Sequence, residues 1–389
     1  MTLIAETAEL EALCERLAKA DFITVDTEFL RDSTYWPKLC LLQVAGPDDV
    51  ATVDTLAPDL DLAPLLALFD DPRLVKVLHS ARQDMEIFFH LTGRLPAPIF
   101  DTQVAAMVCG FGESVGYDTL VRKMTGAHVD KSSRFTDWSR RPLAERQLNY
   151  ALADVTHLRK IYRKLERQLT KTGRAGWLEE EMAILTSPDT YRLEPDQAWR
   201  RLKTRSNDRR YLAVLHALAA WREQEAQQRN VPRGRVLRDE QLFDIAAHRP
   251  TSEEELARSR GLNKDMARGR LGKAILEAVA QGLALPDKQL PRPVVKQSAP
   301  NGSGPLIDLL KVLLKLRCDE HDVAQKLIAN TADLEQIAAD SKADVPALKG
   351  WRYDIFGRDA LALKSGDVAL SAAGSKIKIV PIKAPQEAD

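Results

Sequence analysis

The sequence predicts an α/β domain built on a mixed sheet, followed by two small all-α bundles. In the first 170 residues, short runs rich in β-branched and aromatic residues alternate with stretches whose apolar residues recur at helical spacing. Between residues 200 and 372, the stretches with a regular apolar pattern show helical spacing. A length of 389 residues also exceeds what one ordinary core holds, so two or three domains are expected.

The N-terminal domain is predicted to follow the order β-β-β-α-β-α-β-α after a short first helix. A Gly-Pro-Asp-Asp turn at residues 46–49 separates the second and third strands, so the first three strands are expected to form an antiparallel meander. The fourth strand is of the kind that is buried inside a sheet. The predicted strands are 22–29, 39–45, 50–54, 74–78 and 99–102, and the predicted helices are 6–19, 64–69, 81–91, 103–109, 117–125 and 143–166.

The first strand carries two carboxylates, Asp26 and Glu28, within an otherwise apolar run. Side chains alternate along a strand, so both acids point to one face, roughly 7 Å apart along the chain. Two like charges at that distance repel each other and lose hydration unless a cation lies between them. Carboxylate oxygens suit a hard divalent ion such as Mg²⁺ or Mn²⁺. The alternative is a surface strand whose acids face water.

Two polar residues lie beside the end of the fourth strand, namely His79 directly after it and Asp84 in the first turn of the next helix. Ligands of open α/β sheets collect at the carboxyl ends of the strands, which makes both residues candidates for a binding site. Each has a structural alternative. An acid in the first turn complements the helix dipole, and a single histidine at a strand end is more often a hydrogen-bonded structural residue.

The helix predicted at 143–166 places Tyr150 and Asp154 four residues apart, which stacks the phenol and the carboxylate on one helical face. An ordinary surface pair has the same spacing. The segment before this helix, residues 130–142, is polar and holds two aromatic and four basic residues without an apolar period. It is predicted to be an exposed loop, which either contacts a phosphate or a stacked base or is simply solvated.

Composition limits the partners and the compartment. The 56 basic residues are balanced by 56 acidic residues, so net charge alone indicates no polyanionic partner. Residues 191–280, however, hold 19 basic against 13 acidic residues, which makes this block the candidate for an electrostatic contact with nucleic acid. Four widely spaced cysteines form no Cys-x-x-Cys pair, and no run approaches the roughly 20 apolar residues of a membrane span. A cytoplasmic protein with no membrane partner is expected.

The five residues Asp26, Glu28, Asp84, Tyr150 and Asp154 occur in an order that resembles the DEDDy branch of the DEDD 3′-to-5′ exonucleases, which have a ribonuclease H-like fold. Four longer motifs are similar to those of the bacterial ribonuclease D family, and the resemblance covers nearly all of the first 170 residues. These motifs are Asp26-Thr27-Glu28-Phe29-Leu30-Arg31, Tyr35-Trp36-Pro37-Lys38-Leu39-Cys40-Leu41, Phe100-Asp101-Thr102-Gln103 and Asp137-Trp138-Ser139-x-Arg141-Pro142-Leu143.

The resemblance implies that Asp26, Glu28, Asp84 and Asp154 bind two divalent metal ions, Mg²⁺ or Mn²⁺. In the family pattern Asp26 lies between both ions, Glu28 and Asp154 contact the ion that activates water, and Asp84 contacts the second ion. Tyr150 would orient the attacking water, because an unperturbed phenol pKa of about 10 makes it a poor base at neutral pH. The expected product is a nucleoside 5′-monophosphate released from a free 3′ end.

The same resemblance implies contacts to nucleic acid in the N-terminal domain. Phe29 would wedge against the terminal bases, although a position in the core is at least as strong an alternative for this residue. His79 is the second candidate contact because of its place at the end of the fourth strand.

Residues 201–285 carry a pattern around Trp221, Asn230 and Pro232 that resembles the HRDC module, a small helical bundle whose implied role is to hold nucleic acid. Arg233 and Arg235 are the candidate contacts, and the alternative is that the basic residues only solvate the bundle. The expected divisions of the whole chain are an exonuclease domain at 1–170, a connecting helical segment at 171–200, the HRDC module at 201–285, a linker at 286–304, a second and more divergent HRDC-like bundle at 305–372, and a loose tail at 373–389.

The expected function is therefore a 3′-to-5′ exoribonuclease that trims RNA with a free 3′ end, with tRNA precursors as the substrate suggested by family analogy and with no obligatory protein partner. Two alternatives remain at this stage: a 3′-5′ DNA exonuclease of the proofreading type, and an RNA-binding scaffold that no longer cuts.

Overall fold

A six-stranded mixed sheet forms the centre of the N-terminal domain in the computed structural model, which describes residues 3–204, 206–293, 300 and 302–382. The strands are β1 (Leu3–Ile4), β2 (Phe22–Leu30), β3 (Lys38–Ala45), β4 (Val50–Val53), β5 (Val75–Leu78) and β6 (Ile99–Asp101). Their order across the sheet is β1-β4-β3-β2-β5-β6. The pairs β2/β3 and β3/β4 are antiparallel, as the predicted meander requires, and β2/β5, β5/β6 and β1/β4 are parallel.

Seven helices accompany this sheet. They are α1 (Thr7–Leu17), α2 (Ala63–Phe69), α3 (Arg82–Thr92), α4 (Thr102–Val108), α5 (Tyr117–Thr125), α6 (Glu145–Thr172) and α7 (Ala175–Leu185). The longest, α6, packs across β2, β3 and β4 and buries Val155, Leu158, Ile161 and Leu165, which recur at the three- and four-residue spacing of one helical face. This packing brings the N-terminal half of α6 over the centre of the sheet.

The predicted mixed α/β fold is confirmed, and each of the five predicted strands differs from the observed strand by one residue at one end. Strand β1 was not predicted, because two residues are too few to show a period. The predicted end of α6, residue 166, lies six residues before the observed end. The helix continues to Thr172 because Leu169 is still buried against the core, and it stops where Gly173 adopts a left-handed conformation with φ of 67°.

The second module is a helical bundle with its own core, which includes Trp199, Leu215, Leu218, Ile245 and Ile275. Its helices are α8 (Arg209–Gln228), α9 (Arg233–Val236), α10 (Asp239–His248), α11 (Glu253–Leu256), α12 (Lys264–Arg268) and α13 (Arg270–Ala284), and two 3-10 turns precede them at Pro188–Thr190 and Pro195–Arg201.

The helices α8 and α13 approach each other closely in this bundle, and a glycine permits the contact. A Cβ atom at Gly282 would lie 2.6 Å from the Cα atom of Val214. A larger residue at this position would push the two helices apart.

The third module contains α14 (Gly304–Glu320), α15 (Gln325–Ile328), α16 (Thr331–Ala339), α17 (Gly350–Arg352) and α18 (Arg358–Ser365), with a π turn at Tyr353–Gly357 before α18 and a 3-10 turn at Pro346–Leu348. Of the linker expected at 286–304, Asp287–Gln289 forms a 3-10 turn, whereas 294–299 and 301 lie outside the described residues. The tail expected at 373–389 is wrong for its first part. Strands β7 (Val368–Ala373) and β8 (Lys376–Pro381) form an antiparallel hairpin, and 383–389 lie outside the described residues.

The hairpin has a clear physical cause in the sequence of residues 374–379. Residues 376–379 alternate Lys and Ile, which is the two-residue period of a strand, and Gly374 supplies the positive φ of 62° that the turn needs.

The third module packs directly on the N-terminal domain, and buried residues of both belong to one continuous cluster. The indole rings of Trp177 and Trp351 stack with their centroids 4.3 Å apart. Arg352 pairs with Glu180 and with Glu181, and the amide of Ala324 donates a hydrogen bond of 3.0 Å to the carbonyl of Met107. The connecting segment expected at 171–200 is therefore also part of an interdomain interface. In the part of the chain that the structure describes, no helix has both the length and the hydropathy to cross a membrane.

Candidate active site

Three of the predicted acids meet where α6 crosses β2. Asp26, Glu28 and Asp154 each place one carboxylate oxygen within 4.8 Å of the corresponding oxygens of the other two. The two-residue period of β2 puts Asp26 and Glu28 on the face that α6 covers. The hydroxyl of Thr24 donates a hydrogen bond of 2.9 Å to the carbonyl of Val155, which fixes α6 on the strand one residue after Asp154.

The fourth acid, Asp84, lines the same cavity but is not a member of that trio. It is buried in the first turn of α3 and accepts a short hydrogen bond from the hydroxyl of Thr27. The turn that leads into α3 is held by Asp101, whose carboxylate accepts hydrogen bonds from the amides of Ser80 (2.9 Å) and Ala81 (2.8 Å). Asp84 is thus positioned from β2 and from the end of β6.

The charges of the four acids disturb one another. Burial, followed by the negative charges of Asp154 and Asp84, raises the pKa of Glu28 to about 9. Burial raises the pKa of Asp84 and of Asp154 to about 7 each. Burial and the three neighbouring carboxylates raise the pKa of Asp26 well above its ordinary value. Asp84 is buried, and Asp26, Glu28 and Asp154 are half-buried. Four carboxylates in one cavity do not all ionise at neutral pH unless a cation balances them, so the donor set fits hard divalent ions.

Tyr150 lies one helical turn before Asp154, on the same face of α6. Burial, and next the negative charge of Asp154, raises the pKa of the phenol above its ordinary value. The hydroxyl is therefore protonated at neutral pH and serves as a hydrogen-bond donor rather than as a base. The indole of Trp138 packs beside the phenol, with the ring centroids 6.0 Å apart.

These residues open into a cavity of about 710 Å³ that Phe29 and His79 also line. Phe29 is half-buried, and among the described residues it belongs to none of the buried hydrophobic clusters, which favours a wall of the cavity over a core position. The Nδ1 atom of His79 lies 3.0 Å from the hydroxyl of Thr102, and burial lowers the pKa of the imidazole. A neutral His79 offers a hydrogen bond but no charge to a ligand.

Comparison with known proteins identifies the family. Residues 1–170 match a family model described as 3′-5′ exonuclease, and residues 211–279 match the HRDC domain. The chain is 52% identical over 380 residues to ribonuclease D of Granulibacter bethesdensis, which covers 97% of this chain and 96% of that protein. It is 51% identical to ribonuclease D of Nitrobacter hamburgensis, with 97% of this chain and 98% of that protein covered.

This chain belongs to the ribonuclease D family. Among solved structures it is similar to Escherichia coli RNase D, an exoribonuclease involved in structured RNA processing, with a TM-score of 0.81, 31% identity, and coverage of 94% of this chain and 98% of that one. The predicted fold, family and activity are confirmed: the chain is a 3′-5′ exoribonuclease, a hydrolase that acts on RNA.

The two arginines expected to hold nucleic acid in this family member have different environments. The guanidinium of Arg233 pairs with Glu223, whose side chain is only 2% exposed, and donates a hydrogen bond of 2.9 Å to the hydroxyl of Tyr35 in the N-terminal domain. Arg233 is thus part of a contact between the two domains. Arg235 is exposed, and no ion pair involves it within the described ranges. A contact of either residue with nucleic acid stays a prediction.

Three supporting residues were missed as site residues. Asp101 holds the start of α3, and Thr27 contacts Asp84. Arg141 donates hydrogen bonds of 2.8 Å to the carbonyls of Cys40 and Trp138 and pairs with Asp54. All three belong to the motifs that carry the family resemblance, but their partners lie up to 101 positions away, so spacing along the chain revealed no contact.

Proposed function

We propose that the chain removes nucleoside 5′-monophosphates one at a time from the 3′ end of RNA, and that Asp26, Glu28, Asp84 and Asp154 bind two divalent ions, Mg²⁺ or Mn²⁺, at the scissile phosphodiester. The observation that carries this proposal is the trio of carboxylate oxygens within 4.8 Å, with Asp84 in the same cavity. Two ions held this way stabilise the attacking and the leaving oxygen of an in-line displacement at phosphorus.

The protein side chains have separate roles in this proposal. Asp26 would lie between the two ions, as the family resemblance implies, and the charges of the other three acids reach its carboxylate and raise its pKa. Asp84 takes the second ion, in line with its place outside the trio. Tyr150 keeps its proton and orients the attacking water through its hydroxyl. Phe29 and His79 form the walls against which the terminal nucleotides rest.

We infer that the substrates are structured RNAs with an unpaired 3′ end, and that tRNA precursors are among them. The similar Escherichia coli protein is described as acting in structured RNA processing. Residues 191–280, which hold more basic than acidic residues, contain the HRDC module. The four cysteines are free thiols, which supports the cytoplasmic location expected from the sequence.

The test is digestion of uniformly labelled RNA with Mg²⁺, with Mn²⁺ and with a chelator, using substrates whose 3′ hydroxyl is free or blocked and identifying the released nucleotides. The wild type should release 5′-monophosphates only with metal and only from the free end. Asp26→Asn and Asp154→Asn should each abolish release while RNA affinity is retained. The matched control is Asp48→Asn, an exposed acid in the β3–β4 turn, which should behave as wild type.

Two results would contradict the proposal. Full activity in Asp26→Asn would exclude the acid cluster as the site of cleavage. Equal digestion of a DNA strand of the same sequence would leave the metal site intact but remove the assignment to RNA.

A further inference from the structure

One aromatic residue beside the active site faces solvent almost completely. Phe135 is 89% exposed, more than any other large hydrophobic side chain in the part of the chain that the structure describes. It also lines the cavity that contains the four acids. The ring gains none of the free energy that burial of an aromatic side chain provides, so we expect a partner that covers it.

The loop of residues 130–136 holds Phe135 in this position through fixed contacts. Ser133 is completely buried, and the amide and hydroxyl of Thr136 donate to its carbonyl at 3.2 and 2.9 Å. Gln147 of α6 donates a hydrogen bond of 3.1 Å to the hydroxyl of Thr136. At the other end, Lys131 pairs with Asp118 at 2.7 Å. The ring therefore projects from a loop that is anchored to the helix carrying Asp154.

The neighbouring arginine is available for a ligand. The guanidinium of Arg134 lies 5.2 Å from the centre of the Phe135 ring. Among the described residues it has no carboxylate partner, whereas Arg31 in the same cavity is paired with Glu86. A free guanidinium next to an exposed ring offers a positive charge and an aromatic surface together.

We propose that Arg134 and Phe135 form a subsite for an unpaired nucleotide of the RNA strand that lies upstream of the scissile phosphodiester. Phe135 stacks on the base, and Arg134 contacts the backbone phosphate. This inference rests on the proposed function, because the position upstream follows from placing the scissile bond at the acids. Stacking on an aromatic side chain tolerates every base, as an exonuclease that meets each base in turn requires.

Affinity and catalysis are measured separately so that the two proposals are tested independently. Dissociation constants for oligoribonucleotides are measured in the Asp26→Asn background, which needs no cleavage. Phe135→Leu should weaken binding of an unpaired 3′ tail by about 10-fold, within the range of stacking on one base, and Phe135→Trp should restore it. In the active protein, Phe135→Leu should raise KM by a similar factor and change kcat by less than about 2-fold. Ile184→Ala, an exposed hydrophobic residue of α7 outside the cavity, is the control and should change neither.

A substrate with a single abasic nucleotide locates the contact. When the abasic nucleotide is moved stepwise from the 3′ end, the wild type should lose affinity at one upstream position. Phe135→Leu should show no further loss at that position, because the stacking partner is already absent. Arg134→Ala should reduce the slope of log affinity against log salt concentration by about one, the value for one phosphate contact. Arg140→Ala, in the same segment but paired with Asp137, should leave the slope unchanged.

Unchanged affinity in Phe135→Leu, or an abasic penalty that persists in this variant, would overturn the subsite. Failure of the wild type to release mononucleotides would instead overturn the proposed function, and the binding measurements would still decide whether Phe135 stacks on a base.

Discussion

Replacing Arg233 by alanine tests whether this residue joins two domains rather than binding RNA. In the structure its guanidinium donates hydrogen bonds of 2.5 and 2.6 Å to the two carboxylate oxygens of Glu223 and also contacts the hydroxyl of Tyr35. Asn230 completes the contact, since its side-chain oxygen accepts hydrogen bonds from the amides of Tyr35 (3.1 Å) and Trp36 (2.9 Å). The segment that leaves β2 is thus tied to the HRDC module.

The size of the effect follows from burial. Glu223 is 2% exposed, and removing one partner of a buried ion pair typically costs about 3 to 5 kcal/mol. Arg233 is 35% exposed, so water reaches the space that its side chain vacates. The loss of stability should therefore be near the lower end of this range, about 3 kcal/mol. Glu223 and Arg233 belong to the same module, so most of this loss falls within that module. From Arg233 only the hydrogen bond to Tyr35 crosses the interface; at about 1.5 kcal/mol, its loss raises the equilibrium constant for opening by roughly 10-fold.

Hydrogen exchange of the Tyr35 and Trp36 amides measures this opening, because both donate across the interface. Exchange should accelerate by about 10-fold in Arg233→Ala, while exchange in the sheet is unchanged. Arg235→Ala, two residues away and exposed, is the matched control and should leave exchange as in the wild type.

Two results would refute this account. One is unchanged exchange in Arg233→Ala. The other is a double variant Tyr35→Phe/Arg233→Ala whose loss equals the sum of the single losses, because partners coupled across the interface give non-additive effects. Arg235→Ala also tests the earlier prediction for Arg235, since weaker RNA binding without faster exchange would assign it to nucleic acid.

Three more predictions concern the ions, the core and the second interface. Mg²⁺ or Mn²⁺ should raise the Tm of the wild type, because ions that bind only the folded state stabilise it, and Asp26→Asn should remove most of this shift in differential scanning fluorimetry. Burial lowers the pKa of Lys76 to about 8. Between roughly pH 8 and 10 the unfolded chain therefore binds more protons than the folded one. The free energy of unfolding, measured in urea, should then rise with pH in the wild type and not in Lys76→Met. Trp351→Ala should lower the free energy of unfolding by about 3 kcal/mol, because it removes the ring that stacks on Trp177. Limited proteolysis should then cleave the third module faster, and Ile184→Ala should leave the cleavage rate unchanged.

The N-terminal fold and the identity of the acids were readable from local patterns. Runs rich in β-branched and aromatic residues predicted five of the six strands, and helical spacing of apolar residues predicted the helices between them. The alternation of side chains along a strand placed Asp26 and Glu28 on one face, and the four-residue spacing placed Tyr150 next to Asp154.

Other features had no local signal. Lys76 lies in a strand that was expected to be buried, and it is 1% exposed because its amine donates to the carbonyls of Asp71 (2.9 Å) and Ala97 (2.6 Å). Those acceptors are main-chain carbonyls of loop residues, and every residue type carries such a carbonyl, so the sequence does not show which one is used. A lysine in this strand therefore gave no indication of how its charge is accommodated.

The sequence by itself determined the family, the fold of the catalytic domain and the residue types of its acids, because those depend on periodicity and on motifs within short stretches. Only the tertiary structure decided which acids share a cluster, that Arg233 joins two domains, and that the third module packs on the first. The physical reason is distance along the chain: the hydroxyl of Tyr35 and the guanidinium of Arg233 are separated by 198 positions, and such a contact exists only when the whole chain has folded.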